Sequence, residues 1–181
     1  ATSETPAMDE KQTVHIALTP GSNAYKEYYC DMSTNKYWKG DYTGCMLQLN
    51  GGTAGASTIE IEEIYFTTIY EPQPDEPAAE VEPKYIYSSG EISRFGNTVV
   101  TANDDGSLTI VRDTEMEGLD PEKKNQGAVY LAEPKTNGKA EDYPYLVVKA
   151  KDAENITGIK AYFSTGEQKP TPEFAEGFTT V

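Results

Sequence analysis

Aromatic and hydrogen-bonding side chains recur at alternate positions in three segments of this chain. In YKEYYCDM (25–32), Tyr25, Glu27, Tyr29 and Asp31 share one face of an extended strand, and Tyr28 and Cys30 the other. In TGCMLQLN (43–50), Met46, Gln48 and Asn50 oppose Cys45, Leu47 and Leu49. In TGIKAYFST (157–165), Lys160 and Tyr162 oppose Ile159, Ala161 and Phe163. Flat rings beside carboxylates, amides and an ammonium suit one kind of chemistry. The rings stack on apolar ligand faces, and the polar groups satisfy the ligand's own once water has left. Tyr29, Gln48, Lys160 and Tyr162 are expected to line one concave sheet. The loop STNKYWKGDY adds Tyr37, Tyr42 and the only tryptophan, Trp38, as a stacking platform, and Phe95 in SRFGN is a further loop aromatic equally able to cap a core.

The same residues offer a second, hydrolytic chemistry. Glu27 lies among tyrosines, and Glu62 or Glu63 is available as a partner carboxylate. A retaining glycosidase needs two such groups about 5–5.5 Å apart. A serine triad has a single candidate base, His15, and no G-x-S-x-G accompanies it. His15, on a strand, reads as an exposed or binding-face residue. No cofactor is expected. A structural calcium ion on Glu62, Glu63 or Glu91 is the one open option. The run from Asp113 to Gly118 begins like an EF-hand loop, but Lys124 stands where the bidentate glutamate is required. A solvated loop accounts for it better.

The elements that must position these groups are strands. TVHIALT (13–19) alternates, with Val14, Ile16 and Leu18 on one face. PGSN (20–23) is a turn, and GGTAGAS a glycine-rich one. STIEIEEIYFTTIY (57–70) is a strand whose phase breaks: Ile59 and Ile61 share a face, then Glu62-Glu63 intervene before Ile64 and Phe66. A one-residue slip of this kind predicts a β-bulge. EPQPDEPAAEVEP (71–83) holds four prolines and five acidic residues and reads as an extended, solvated linker. Beyond it come KYIYSSGEI, NTVVTA, SLTIVRD after the turn NDDG, GAVYLAE, YLVVKAKD, TGIKAYFST and a last short strand in FTTV. No stretch carries a 3.6-residue apolar period over three turns. About ten short strands at close spacing predict an all-β fold, a jelly-roll β-sandwich of two antiparallel sheets.

Composition narrows the partners. The 181 residues carry 15 basic and 30 acidic side chains, a formal charge of −15. That field argues against nucleic acid and anionic membrane surfaces, while a neutral polysaccharide is indifferent to it. No apolar run approaches the roughly 20 residues that span a bilayer. ATSETPAMDEKQ contains no apolar h-region, which leaves export open. Cys30 and Cys45 are too few for a disulfide framework; they either pair across neighbouring strands or serve as two small core residues.

The run YKEYYCDMSTNKYWKGDYTGCMLQLN followed by STIEIEEIYF resembles the C-terminal end of jelly-roll carbohydrate-binding modules: a strand ending in D-[LM]-S, a W-x-G loop, an L-x-L strand, a small turn and an acidic final strand ending in I-x-F. IYSSGEISRFGNTVVTANDDGSLTIV and YPYLVVKAKDAENITGIKAYFSTG resemble the opening and middle strands of the same modules. The broad relatives are families 4, 9 and 22, and the nearest flavour is that of the tandem xylan-binding modules in family 10 xylanases of gut Bacteroidetes. The resemblance spans nearly the whole chain but reverses the order of its halves. Residues 1–70 correspond to a C-terminal half, 71–83 to a linker and 84–181 to an N-terminal half. Either the chain bridges two modules of an array, or its halves complete one sandwich, within a chain or as a swapped dimer. An incomplete sandwich exposes sheet edges and apolar faces, so completion is the expectation.

What the resemblance implies is a non-catalytic, secreted or surface-held module that binds plant cell-wall β-glycan, most simply xylan or xylo-oligosaccharides, and targets a parent endo-xylanase to it. Family 11 xylanases are jelly rolls of similar size with a glutamate between tyrosines, so a small glycosidase is the alternative, and an adhesive sandwich a third. The expected contacts are Trp38, Tyr29, Tyr162, Gln48, Lys160, Tyr37, Tyr25, Glu27 and Asn50. In the family pattern the W-x-G tryptophan also packs against the end of the sandwich, which leaves Trp38 with two possible roles.

Overall fold

A computed structural model describes residues 12–50, 56–68, 84–87, 91–95, 97–113, 115, 117, 128–131, 139–154, 156–165 and 179–180. The linker 71–83 and the side chains of Asn50 and Phe95 lie outside the described residues. The elements are antiparallel strands: β1 (Thr13–Ala17), β2 (Lys26–Asp31), β3 (Tyr42–Asn50), β4 (Ala56–Thr67), β5 (Lys84–Ile86), β6 (Ile92–Phe95), β7 (Thr98–Ala102), β8 (Leu108–Asp113), β9 (Ala128–Leu131), β10 (Tyr145–Glu154), β11 (Gly158–Thr165) and β12 (Thr179–Thr180). Two short 3-10 turns, Met32–Thr34 and Ala140–Asp142, complete the elements. Among the described residues no helix is long or apolar enough to cross a membrane.

The strands form an all-β sandwich. One sheet runs β1-β11-β3-β9-β6-β12, and the other β2-β10-β4-β8-β7 with β5 beside β4. Strands from either side of residues 71–83 alternate in both sheets. β3 lies between β11 and β9, and β4 between β10 and β8. The buried alternate residues of both sheets merge into one core, including Val14, Ile16, Leu47, Leu49, Ile59, Ile110, Val148 and Ile159.

The phase break in β4 is a bulge. Lys149 pairs with Glu63 while Ala150 pairs with Ile61, so Glu62 is the extra residue. It is exposed, and its carboxylate meets Lys149 Nζ at 2.5 Å. The bulge lets Ile59 and Ile61 on one side, and Ile64 and Phe66 on the other, all reach the core. The β7–β8 hairpin closes at Asn103–Gly106, where the Gly106 N–H donates to the Asn103 carbonyl at 3.0 Å with Gly106 at φ 87°.

Trp38 belongs to this core, which removes it as a stacking platform. It is 4% exposed, stacks on Phe66 at 5.3 Å and meets Tyr42 and Phe163 edge-on at 5.6 and 5.0 Å. Its indole Nε1–H donates to the Tyr143 carbonyl at 3.2 Å, so its polar handle is satisfied inside the fold. Tyr42 is buried as well, its hydroxyl bonded with that of Tyr87 at 3.2 Å. Cys30 and Cys45 are buried free thiols on β2 and β3, strands of opposite sheets rather than neighbours. Burial, helped by the Asp31 carboxylate, pushes the Cys30 thiol up to about 12. Burial likewise raises Cys45.

Candidate functional site

With Trp38 in the core, the other eight residues expected to bind together divide among three surfaces. Tyr29 is on β2, whereas Gln48, Lys160 and Tyr162 are on β3 and β11 of the other sheet, so they do not line one sheet. Alternation placed each side chain on the outer face of its own strand. It carries no information on which sheet that strand joins.

The first surface is a groove of about 980 Å³ along one side of the sandwich, where the edge strands β1 and β2 face each other. Tyr29, Tyr37 and Glu27 line it, with His15, Asp31, Asn35 and Lys36. Among the described strands each has a partner on one side only, so its alternate backbone groups point toward the groove. On β1 the residues bonded to β11 are the even ones, since Gln12 O accepts from Phe163 N at 3.1 Å and Leu18 N donates to Thr157 O at 3.0 Å. His15 and Ala17 therefore turn their N–H and C=O toward the groove. On β2, Met32 N donates to Pro144 O at 2.7 Å, which leaves those of Glu27 and Tyr29 facing the groove.

Tyr29 is 44% exposed, one of two large apolar side chains so open among the described residues. Tyr37 is half-buried and held from both ends of its peptide units: Asn35 Oδ1 accepts its N–H at 3.0 Å, and its carbonyl accepts from Thr165 Oγ1 at 2.7 Å. Asn35 Nδ2 also donates to the Thr13 carbonyl at 3.0 Å, tying this loop to the edge of β1 and closing one end of the groove. Lys36 Nζ rests 5.0 Å from the centre of the Tyr37 ring. Glu27 accepts from the Tyr65 hydroxyl at 3.1 Å, and Asp31 Oδ1 accepts the Ser33 N–H at 2.9 Å. Asn35 and Lys36 have no periodic signature and only the loop's closure onto β1 reveals them.

The second surface is the outer face of the β1-β11-β3-β9 strands. Across it, His15, Lys160 and Gln48 stand in one register row, and Thr13, Tyr162, Met46 and Tyr130 in the next. Tyr162 is only 7% exposed, packed with Met46, Ala128 and Tyr130, so its ring is not an open platform. Its hydroxyl donates to Gln48 Oε1 at 3.3 Å, and Lys160 Nζ lies 4.8 Å from its ring centre. Tyr162 thus supports its polar neighbours rather than meeting a ligand itself. Asn50 pairs with Gly158 at the end of this face.

The third surface, the outer face of the other sheet, is charged. Glu27, Lys149 and Glu63 form a row across β2, β10 and β4. Tyr25, Lys151 and Glu60 make a cluster beside it: the Tyr25 hydroxyl donates to Glu60 Oε1 at 2.5 Å, Lys151 Nζ reaches Glu60 at 3.1 Å, and the same ammonium lies 4.6 Å over the Tyr25 ring. One face of Tyr25 is therefore covered. The Tyr25 hydrogen bond, aided by Lys151, holds the Glu60 carboxyl below its ordinary value against a weaker desolvation effect. Desolvation first, then Glu60, raises the Tyr25 phenol. Lys149 is raised, chiefly through its bond to Glu62. Among the described residues no group of three or more His, Cys, Asp or Glu side chains converges as a metal site. Comparison with protein families, with curated proteins and with solved structures finds no match to this chain in any of the three.

Proposed function

We propose that the chain is a non-catalytic module that binds a plant cell-wall β-glycan of the xylan type along the β1–β2 groove and tethers a parent endo-xylanase to it. The observation that carries this reading is the exposed Tyr29 ring in a strand-long groove with Tyr37, Glu27, Asp31 and Asn35 around it. A sugar ring needs an open aromatic face and fixed polar groups for its hydroxyls, and Tyr37 and Asn35 are already immobilised by the fold. Tethering raises the effective concentration of a catalytic domain at its substrate without altering the chemical step. Secretion or surface display and the permuted order of the halves belong to the same proposal.

Retardation in native gels containing xylan, mixed-linkage glucan or mannan tests it. The chain should be retarded by xylan, and Tyr29→Ala should weaken the retardation with an unchanged far-UV spectrum. Lack of retardation by all three polymers would sink the proposal. The hydrolytic reading has less support: Glu27 and Glu63 are two strands apart, about 9–10 Å between backbones, with Lys149 between them in the row. No reducing sugar should be released from xylan; release that Glu27→Gln abolishes would establish a glycosidase instead.

A further inference from the structure

The two walls of the groove differ in charge. The β2 wall carries Glu27 and Asp31, acceptors suited to neutral hydroxyls. The β1 wall carries His15, which also begins the His15–Lys160–Gln48 row on the outer face of its sheet. Among the described side chains, the outward positions of β1, β11, β3 and β9, which include Thr13, His15, Lys160, Tyr162, Gln48 and Tyr130, carry no carboxylate. That is notable in a chain with 30 acidic residues. Each member of the row carries at least one N–H donor. Lys160 is held over Tyr162, and Gln48 Oε1 accepts the Tyr162 hydroxyl, which turns the amide's NH₂ to other partners.

We infer that the site takes a β-glycan bearing a carboxylate branch, a uronic acid, with the neutral backbone in the groove against Tyr29 and the carboxylate carried over the β1 edge to His15 and Lys160. This rests on the glycan reading above and adds a substituent class to it. Geometry gives the direction: the β2 wall repels a carboxylate, and the β1 face is the adjoining surface that lacks acids. The overall charge of −15 does not oppose it, because fields from distant surface charges fade within about 8 Å at physiological salt. A sparsely substituted glycan, unlike a phosphate backbone, brings one charge at a time to that spot.

The test compares glucuronoxylan with the same polymer after reduction of its carboxyl groups to alcohols, read as dissociation constants from affinity gels. The wild-type chain should prefer the native polymer by roughly fivefold, the scale of one exposed ion pair. Lys160→Met, which keeps the alkyl stem over Tyr162, should bring that ratio close to one. Equal affinity of the wild type for both polymers overturns the inference and leaves the glycan reading standing. A ratio that survives in both Lys160→Met and His15→Gln also overturns it. Failure to bind either polymer removes the glycan reading, and this inference with it.

Discussion

Two aromatic residues nine positions apart show how burial sorts side chains of similar chemistry. Trp38 is enclosed by Phe66, Tyr42 and Phe163 with its N–H satisfied, whereas Tyr29 stands 44% exposed beside the groove. Trp38→Ala should cost about 3–5 kcal/mol of unfolding free energy, as truncation of a buried large aromatic does. Tyr29→Ala should stay within about 0.5 kcal/mol. Urea denaturation of both variants checks the pair, and a Trp38→Ala protein of wild-type stability would contradict the packing. Glu60 sets a pH dependence at the same scale. Its folded pKa lies below the ordinary 4.5, so its contribution is whole above that value and is lost as pH falls through the lower folded value. Glu60→Gln should therefore be less stable than wild type at neutral pH, with the deficit shrinking as pH falls below 4.5 and through the lower folded value. A deficit constant across that range would show that the Tyr25–Glu60 bond does not act through charge.

At the scale of elements, β4 absorbs an extra residue in its bulge. Deleting Glu62 leaves I-E-I-E-I-Y-F, a strict alternation that keeps Ile59, Ile61, Ile64 and Phe66 on the core face with no bulge needed. The deletion should therefore keep cooperative thermal unfolding. Glu62→Ala, which keeps the residue count, should cost no more than about 1 kcal/mol, because it loses only a half-exposed ion pair with Lys149. Loss of cooperative unfolding in the deletion would show that the bulge does more than correct the phase of the strand. The bulge was legible beforehand because it disturbs a period of two within a few residues. The pairing of Glu27 with Lys149, and of Lys149 with Glu63, was not, since it joins residues 122 and 86 positions apart.

At the scale of the molecule, neither sheet can be assembled from one side of the 71–83 segment alone. β3 is hydrogen-bonded to β11 and β9, and β4 to β10 and β8. Cutting the chain at a protease site introduced within 71–83 should leave two fragments that co-elute as one particle under native conditions and separate in denaturant. Separation without denaturant would contradict the interleaved pairing. The same assembly brings β1 and β2 together as edge strands and so makes the groove, collecting Tyr29 and Tyr37 there while sending Gln48, Lys160 and Tyr162 to another face.

The residues by themselves determined which segments are strands, which side chains of each strand look the same way and where β4 slips, because alternation and turn chemistry act over two to ten residues. They also determined the acidity that disfavours nucleic acid and anionic membrane surfaces. Only the tertiary structure decided which sheet each strand joins, that Trp38 and Tyr162 are enclosed while Tyr29 is open, and that two free edges meet in a groove. Exposure is a property of what packs over a side chain, and here that neighbour comes from the far half of the sequence: Phe163 and Tyr143 for Trp38, Ala128 and Tyr130 beside Met46.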